Sequence, residues 1–280
     1  MNLKLTIWLL FILLPATCLF AQPDTKDSLK ILLQNPKLTV TQRVDALNQL
    51  AYQYYDFDDS LASTYANEAM LLAKKTDYTK GLKYSYTMVG LGYSSKSRFK
   101  EAIRYYRLSS KLAVSGSFSD EVYNSVLLGN CYRDQAIYDS ALYFYRMGLK
   151  NFAKLSTPDR ATIYKNIGSI YVLQWRNEEA ITVLDSASSY LTDGMLTNKY
   201  VQMDVWSIYG QAYKNLLKFD LSNAYYEKMC DASYQLEDYY HQIMCKLNKA
   251  ELAYERSDFG SALNYGFQAL KITEKYVFPP

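Results

Sequence analysis

The chain has 280 residues, 49% of them hydrophobic and 21% charged, with a formal net charge of +3. That balance belongs to a folded chain with a sizeable core; it excludes a disordered polyelectrolyte and lacks the basic excess that would make nucleic acid the default partner. Six prolines and eleven glycines suit a mostly helical chain, and 29 tyrosines suit helices packed through half-buried rings.

Residues 1–21 read as a secretory signal peptide. Lys4 supplies the positive start, Leu5 to Leu14 is apolar except for Thr6, Pro15 breaks the run, and Ala21 offers a small residue before Gln22. Two alternatives compete. A membrane anchor needs about 20 apolar residues, and Pro15 and Thr17 interrupt this run. A lipoprotein signal ending at Cys18 is preceded by Pro15-Ala16-Thr17, which departs from the usual aliphatic-then-small pattern. Residues 22–40 form a lead-in with a short helix from Ser28 to Gln34, ended by Asn35-Pro36. Thr41 is expected to cap the first long helix.

From residue 41 to the C-terminus, 41–280, the chain repeats. Val89, Gly90, Tyr93, Ala102, Tyr106 and Ser109 set a spacing that returns as Leu128, Gly129, Tyr132, Ala141, Tyr145 and Gly148. It returns again as Ile167, Gly168, Tyr171, Ala180, Leu184 and Ala187, and with a small drift as Tyr209, Gly210, Tyr213, Ser222, Tyr226 and Met229. Looser copies surround Ala62 and Ala262. The small residue opening each second helix falls at 62, 102, 141, 180, 222 and 262, at intervals of 40, 39, 39, 42 and 40. Within a copy the spacings of three and four place these residues on single helical faces, so each copy predicts two amphipathic helices and a tight turn. The units run near 41–79, 80–118, 119–157, 158–197, 198–237 and 238–276, with no low-complexity break. The acidic turn Asp56-Phe57-Asp58-Asp59 lacks the glycine and distal Glu of a calcium loop and reads as turn and cap chemistry. Pro158 sits where a helix start tolerates proline.

A Leu-Gly-x-x-Tyr followed by Ala-x-x-x-Tyr-x-x-small resembles the tetratricopeptide repeat (TPR), a helix-turn-helix unit. The resemblance implies an all-α fold: an α-solenoid of about six TPR-like helix-turn-helix repeats forming a right-handed superhelix, with first helices lining the concave face. After the last second helix nothing solvates Leu263, Phe267 and Leu270. The expectation is that the natural chain continues, that a partner covers this end, or that a homodimer forms there.

The residues of common reaction centres are missing. His241 is the single histidine, which removes His-based triads and multi-His metal sites; near a helix start it reads as a surface or capping residue. Gly90-x-Gly92 lies in a repeat helix and reads as packing rather than as a phosphate loop. No catalytic residues, metal ligands or cofactor are assigned, and the chain reads as non-enzymatic. Cys131 reads as a small buried filler. Cys230 ends one helix and Cys245 begins the next unit; antiparallel neighbours can bring them together, but spacing alone does not fix disulfide geometry.

That leaves binding. First-helix positions pointing away from the repeat core include Tyr84, Tyr123, Asn130, Arg133, Lys165, Ser169, Gln211 and Lys214, with Asp45, Asn48, Asp204, Ser207 and Asn248 in the same set. Such a face suits an extended peptide: amides and hydroxyls for its backbone, tyrosines for its side chains, cations for acidic groups or a C-terminus. The two-carboxylate clamp of chaperone-binding TPR domains is absent: Asn130 and Asn166 fill its Asn places, but Val126, Asp204 and Ile208 stand where Lys, Lys and Arg belong. Exported, tyrosine-rich arrays with a period near 40 are similar to sensory regions of signalling regulators in Bacteroidetes. The resemblance implies a periplasmic or extracellular protein- or peptide-binding module, anchored to a membrane through a further C-terminal part, and no nucleic-acid partner in this region. A free-standing exported scaffold for envelope or secretion assemblies is the alternative.

Overall fold

The computed structural model describes residues 26–55, 58–112, 118–150, 155–191 and 196–276. The signal-like residues 1–21, Asp56 and Phe57 of the acidic turn, and the last four residues lie outside them. The described residues form thirteen helices and no strand. They divide into two compact units at Leu112–Ala113. Unit 1 holds α1 (Lys26–Leu33), α2 (Val40–Tyr54), α3 (Asp59–Lys75), α4 (Thr79–Ser94) and α5 (Phe99–Lys111). Unit 2 holds α6 (Phe118–Asp134), α7 (Tyr138–Gly148), α8 (Thr157–Leu173), α9 (Asn177–Ser189), α10 (Leu196–Asn215), α11 (Phe219–Gln235), α12 (Tyr239–Glu255) and α13 (Phe259–Tyr276). Helices pair as α2 with α3, α4 with α5, α6 with α7, α8 with α9, α10 with α11 and α12 with α13.

The pairing follows from size complementarity. The glycine that recurs in the repeat motif of four first helices faces a bulky side chain of the second helix. A Cβ at Gly90 would overlap the Tyr106 ring, one at Gly129 the Tyr145 ring, and one at Gly210 the Tyr226 ring. At Gly168 the facing residue is Leu184. These three tyrosines and Leu184 are wholly buried. The glycine lets two backbones approach and the ring fills the space left beside it. In the first pair the small residues sit on the second helix instead: Ala62, Ala66, Ala69 and Ala73 form a buried stripe on α3.

Helix ends are made by backbone geometry as much as by caps. Thr39, two residues before the expected Thr41, closes a capping box with Gln42 at the start of α2. Asp58 accepts from the Ser60 and Leu61 amides at the start of α3, the cap role read from the acidic turn. Ser156 caps α8 with Pro158 in its first turn. Between first and second helices the chain turns at Ser97, Ala136, Trp175, Leu217 and Ser257, all at φ of 55–60°. After each, the next amide reaches back to a carbonyl five residues earlier, as from Ile137 to Tyr132 and from Arg176 to Tyr171, at 2.8 and 2.9 Å. That is the Schellman closure, here without its usual glycine.

Cys230 of α11 and Cys245 of α12 are joined by a disulfide, their Cα atoms 5.4 Å apart. Cys131 is a buried free thiol.

Candidate functional site

Of the eight residues singled out from the repeat register, Tyr84 lies on α4 of unit 1 and is exposed. The other seven lie in unit 2. On α6, Tyr123 is exposed. Asn130 accepts a hydrogen bond from the Tyr145 hydroxyl at 2.7 Å, which fixes its amide oxygen on the repeat's own core. Arg133 donates to its neighbour Asp134 at 2.8 Å. On α8, the Ser169 hydroxyl donates to the Asn166 carbonyl at 2.9 Å. Gln211 is half-buried on α10.

The first helices α8, α10 and α12 are tied together by charge. Lys165 of α8 donates to Asp204 of α10 at 2.9 Å. The other oxygen of Asp204 lies 3.2 Å from Nε2 of His241 on α12, whose Nδ1 lies 2.5 Å from Asp238. One turn-set further along, Lys214 of α10 pairs with Glu251 of α12. Between these levels, Asn248 of α12 donates to the Ser207 hydroxyl of α10 at 2.9 Å.

His241 is therefore not the surface residue its position suggested. It is buried, and its amide and ring both engage Asp238, the N-cap of α12. Burial by itself lowers the His241 pKa, but the two flanking carboxylates outweigh it and the net direction is up. Burial likewise raises Asp204, and the His241 and Lys165 contacts outweigh it, so its net direction is down. In unit 1 the same first-helix face carries a smaller network: Tyr78 donates to both oxygens of Asp45 at 3.1 Å, and its phenol is pushed up to about 12, by burial first and then by that carboxylate. Asn48 donates to the Gly81 carbonyl at 3.1 Å and accepts from Ser85 at 3.0 Å.

The pairing changes what the face presents. Lys165 and Lys214 are 17% and 10% exposed as side chains, whereas their partners Asp204 and Glu251 are 39% and 54% exposed. The cations lie beneath and the carboxylates lie outward. His241, Asp238 and Glu251 fell outside the register-based set. A signal for them was present: Lys165 and Asp204 stand 39 residues apart, and Lys214 and Glu251 stand 37 apart, close to one repeat. Opposite charges at one repeat spacing on first helices mark inter-repeat ion pairs.

No protein-family model and no curated protein matches the chain. Solved structures do. The apo form of the quorum sensor NprR from B. thuringiensis matches with a TM-score of 0.73 at 16% identity, over 89% of this chain and 71% of that one. NprR in complex with its cognate peptide NprX matches at 0.64 and 14% identity, over 90% of this chain and 79% of that one. A signal-transduction ATPase with a tetratricopeptide repeat sensor from Pyrococcus horikoshii matches at 0.62 and 15% identity, over 90% of this chain but only 39% of that one. The fold is of the tetratricopeptide type.

Within this all-α repeat fold, the described residues contain no group of three or more His, Cys, Asp or Glu placed to hold a metal ion. No helix among them is long and apolar enough to cross a membrane. On α13, Leu263, Phe267 and Leu270 are exposed, and a Cβ at Gly266 would meet nothing within 4 Å.

Proposed function

We propose that the chain is the ligand-binding portion of an exported signalling regulator, and that unit 2 takes a peptide across the first helices α8, α10 and α12. The observation that carries this reading is the outward position of Asp204 and Glu251 over their less exposed lysine partners. A face built this way favours a ligand with basic groups or amide donors, since an acidic ligand would have to displace carboxylates already seated on Lys165 and Lys214. The peptide complex of NprR, on a similar fold, supports a peptide as the ligand class. Export is supported by the signal-like pattern of residues 1–21 and by the Cys230–Cys245 disulfide, since such bonds persist in oxidising compartments.

A random peptide array probed with the mature chain tests the reading. Peptides carrying Lys or Arg should be enriched, and Asp204→Asn with Glu251→Gln should weaken the selected peptide about tenfold or more, the scale expected for loss of charge-assisted bonds. Enrichment of acidic peptides, or unchanged binding by the double variant, would overturn the assignment. The exported location fails if a reporter fused after residue 30 stays in the cytosol.

A further inference from the structure

The two units differ in charge. Residues 1–112 carry 15 Lys and Arg against 9 Asp and Glu, whereas residues 113–280 carry 16 against 19. Much of the basic excess of unit 1 sits on one helix. Lys100, Arg104, Arg107 and Lys111 of α5 follow at spacings of four, three and four, so they form a single row on one helical face. All four are exposed, with the half-buried Ile103 and Leu108 beside them, and a hollow of about 360 Å³ opens along this row. The acid of this segment, Glu101, is turned aside and held by Arg98, with hydrogen bonds of 2.6 and 2.9 Å. Lys100, Arg104 and Lys111 form no ion pair among the described residues.

The start of the row runs against local helix energetics, while Lys111 in the last turn is the charge the dipole favours there. Lys100 is the second residue of α5, where the positive end of the helix dipole disfavours a cation. At the equivalent place α7, α9 and α11 carry Asp139, Glu178 and Asp220, the charge the dipole favours. At the place of Arg107, α9 and α11 carry Asp185 and Glu227, whereas α7 carries Arg146. Lys100 with Arg104, and Arg107 with Lys111, are like-charge neighbours four apart, which also weakens a helix. At the start of α5 the siblings use the charge the dipole favours and this repeat uses the opposite one, a local conflict of the kind found at functional surfaces.

We propose that the α5 row is a docking surface for an acidic polypeptide segment, separate from the unit 2 face and independent of that reading. The row is one helix wide and spans about 16 Å at 1.5 Å per residue, which matches a linear chain rather than a plane. Its rises of about 4.5–6 Å approach the about 6.8 Å between same-side residues of an extended peptide, so successive Asp or Glu side chains on one edge can each meet a cation. Arg104 supplies a planar fork for a carboxylate, and the floor of Ile103 and Leu108 accepts apolar side chains between the acids.

The experiment uses the mature chain and a fluorescein-labelled decaglutamate peptide, read by anisotropy. Binding at 50 mM salt should fall steeply by 200 mM, and Arg104→Glu with Lys111→Glu should reduce it at least tenfold while the circular dichroism melt stays unchanged. Asp204→Asn with Glu251→Gln should leave it as in the parent, which separates this surface from the unit 2 face. Equal binding by the α5 variant would overturn the proposal. So would a chain that ignores decaglutamate and binds instead to phosphatidylcholine–phosphatidylglycerol vesicles or to an oligothymidine, since the partner would then be a membrane or a nucleic acid.

Discussion

The residue that most shapes the α4–α5, α6–α7 and α10–α11 pairs is a glycine with a ring against it. Gly129 and Tyr145 show the constraint clearly, because the ring lies where a Cβ would be and Tyr145 has no exposed surface into which to move. Gly129→Ala should therefore destabilise the protein by about 1–3 kcal/mol, the usual cost of overpacking. Gly168→Ala should cost less, since the facing Leu184 can change rotamer where a ring cannot. Gly266→Ala, with nothing within 4 Å, should instead gain up to about 1 kcal/mol from helix propensity alone. Urea midpoints of the three variants check the order; a loss at Gly266 as large as that at Gly129 would show that glycine matters here for something other than close approach. These contacts were legible beforehand, because a small residue and a large one kept a fixed spacing through four copies. The turn residues were not. Ser97, Ala136, Trp175 and Leu217 take a left-handed conformation that sequence usually marks with glycine, and the backbone closure to the preceding helix holds them there instead.

At the scale of helices, the repeat register placed Lys165, Lys214 and Asp204 on one face but left open what they touch. The structure engages both lysines with a carboxylate of the next first helix, which the register does not show because a single unit gives a position's direction but not its neighbour's charge. The reading of His241 failed for a related reason. Its place near a helix start suggested capping or solvent, whereas Asp204, one repeat earlier, draws the ring inward between two acids. That placement has a pH signature. A histidine whose folded pKa is raised stabilises the fold fully below its ordinary value near 6.5, and the contribution disappears as pH rises through the folded value. Asp204 shifts the other way, so its contribution is present above the ordinary carboxylate range and is lost only as pH falls through its lowered value. His241→Gln should thus lower the urea midpoint more at pH 6 than at pH 9. A deficit that does not change across that range would mean that the imidazole is neutral throughout and serves only by packing.

At the scale of the molecule, an array in which each repeat touches its neighbours stores stability locally, and a change in one place need not be felt far along the chain. The Cys230–Cys245 bond is a suitable probe, because it joins α11 to the next unit's α12 across a sequence separation of 15. Closing a loop of that length restricts the unfolded chain by about 3 kcal/mol. The period of about 40 made the helix pairs readable across the whole chain, yet it could not announce the bond, since the other second helices have no cysteine at the place of Cys230 and Cβ geometry decides whether two thiols can join. Met203, Met229 and the two cysteines form one buried cluster, so loss of the bond loosens the same α10–α12 packing that holds Asp204 beside His241. Cys230→Ser with Cys245→Ser should raise amide exchange in α11, α12 and α13, and weaken binding on the unit 2 face through misplacement of Asp204 and Glu251. Amides of α2, α3 and α4 should keep their parent protection, since their core is built from Val44, Leu47, Ala69 and Ala73, all in unit 1. Exchange that rises equally in α2–α4 would show that the chain unfolds as one cooperative body, and the local account of its stability would fall.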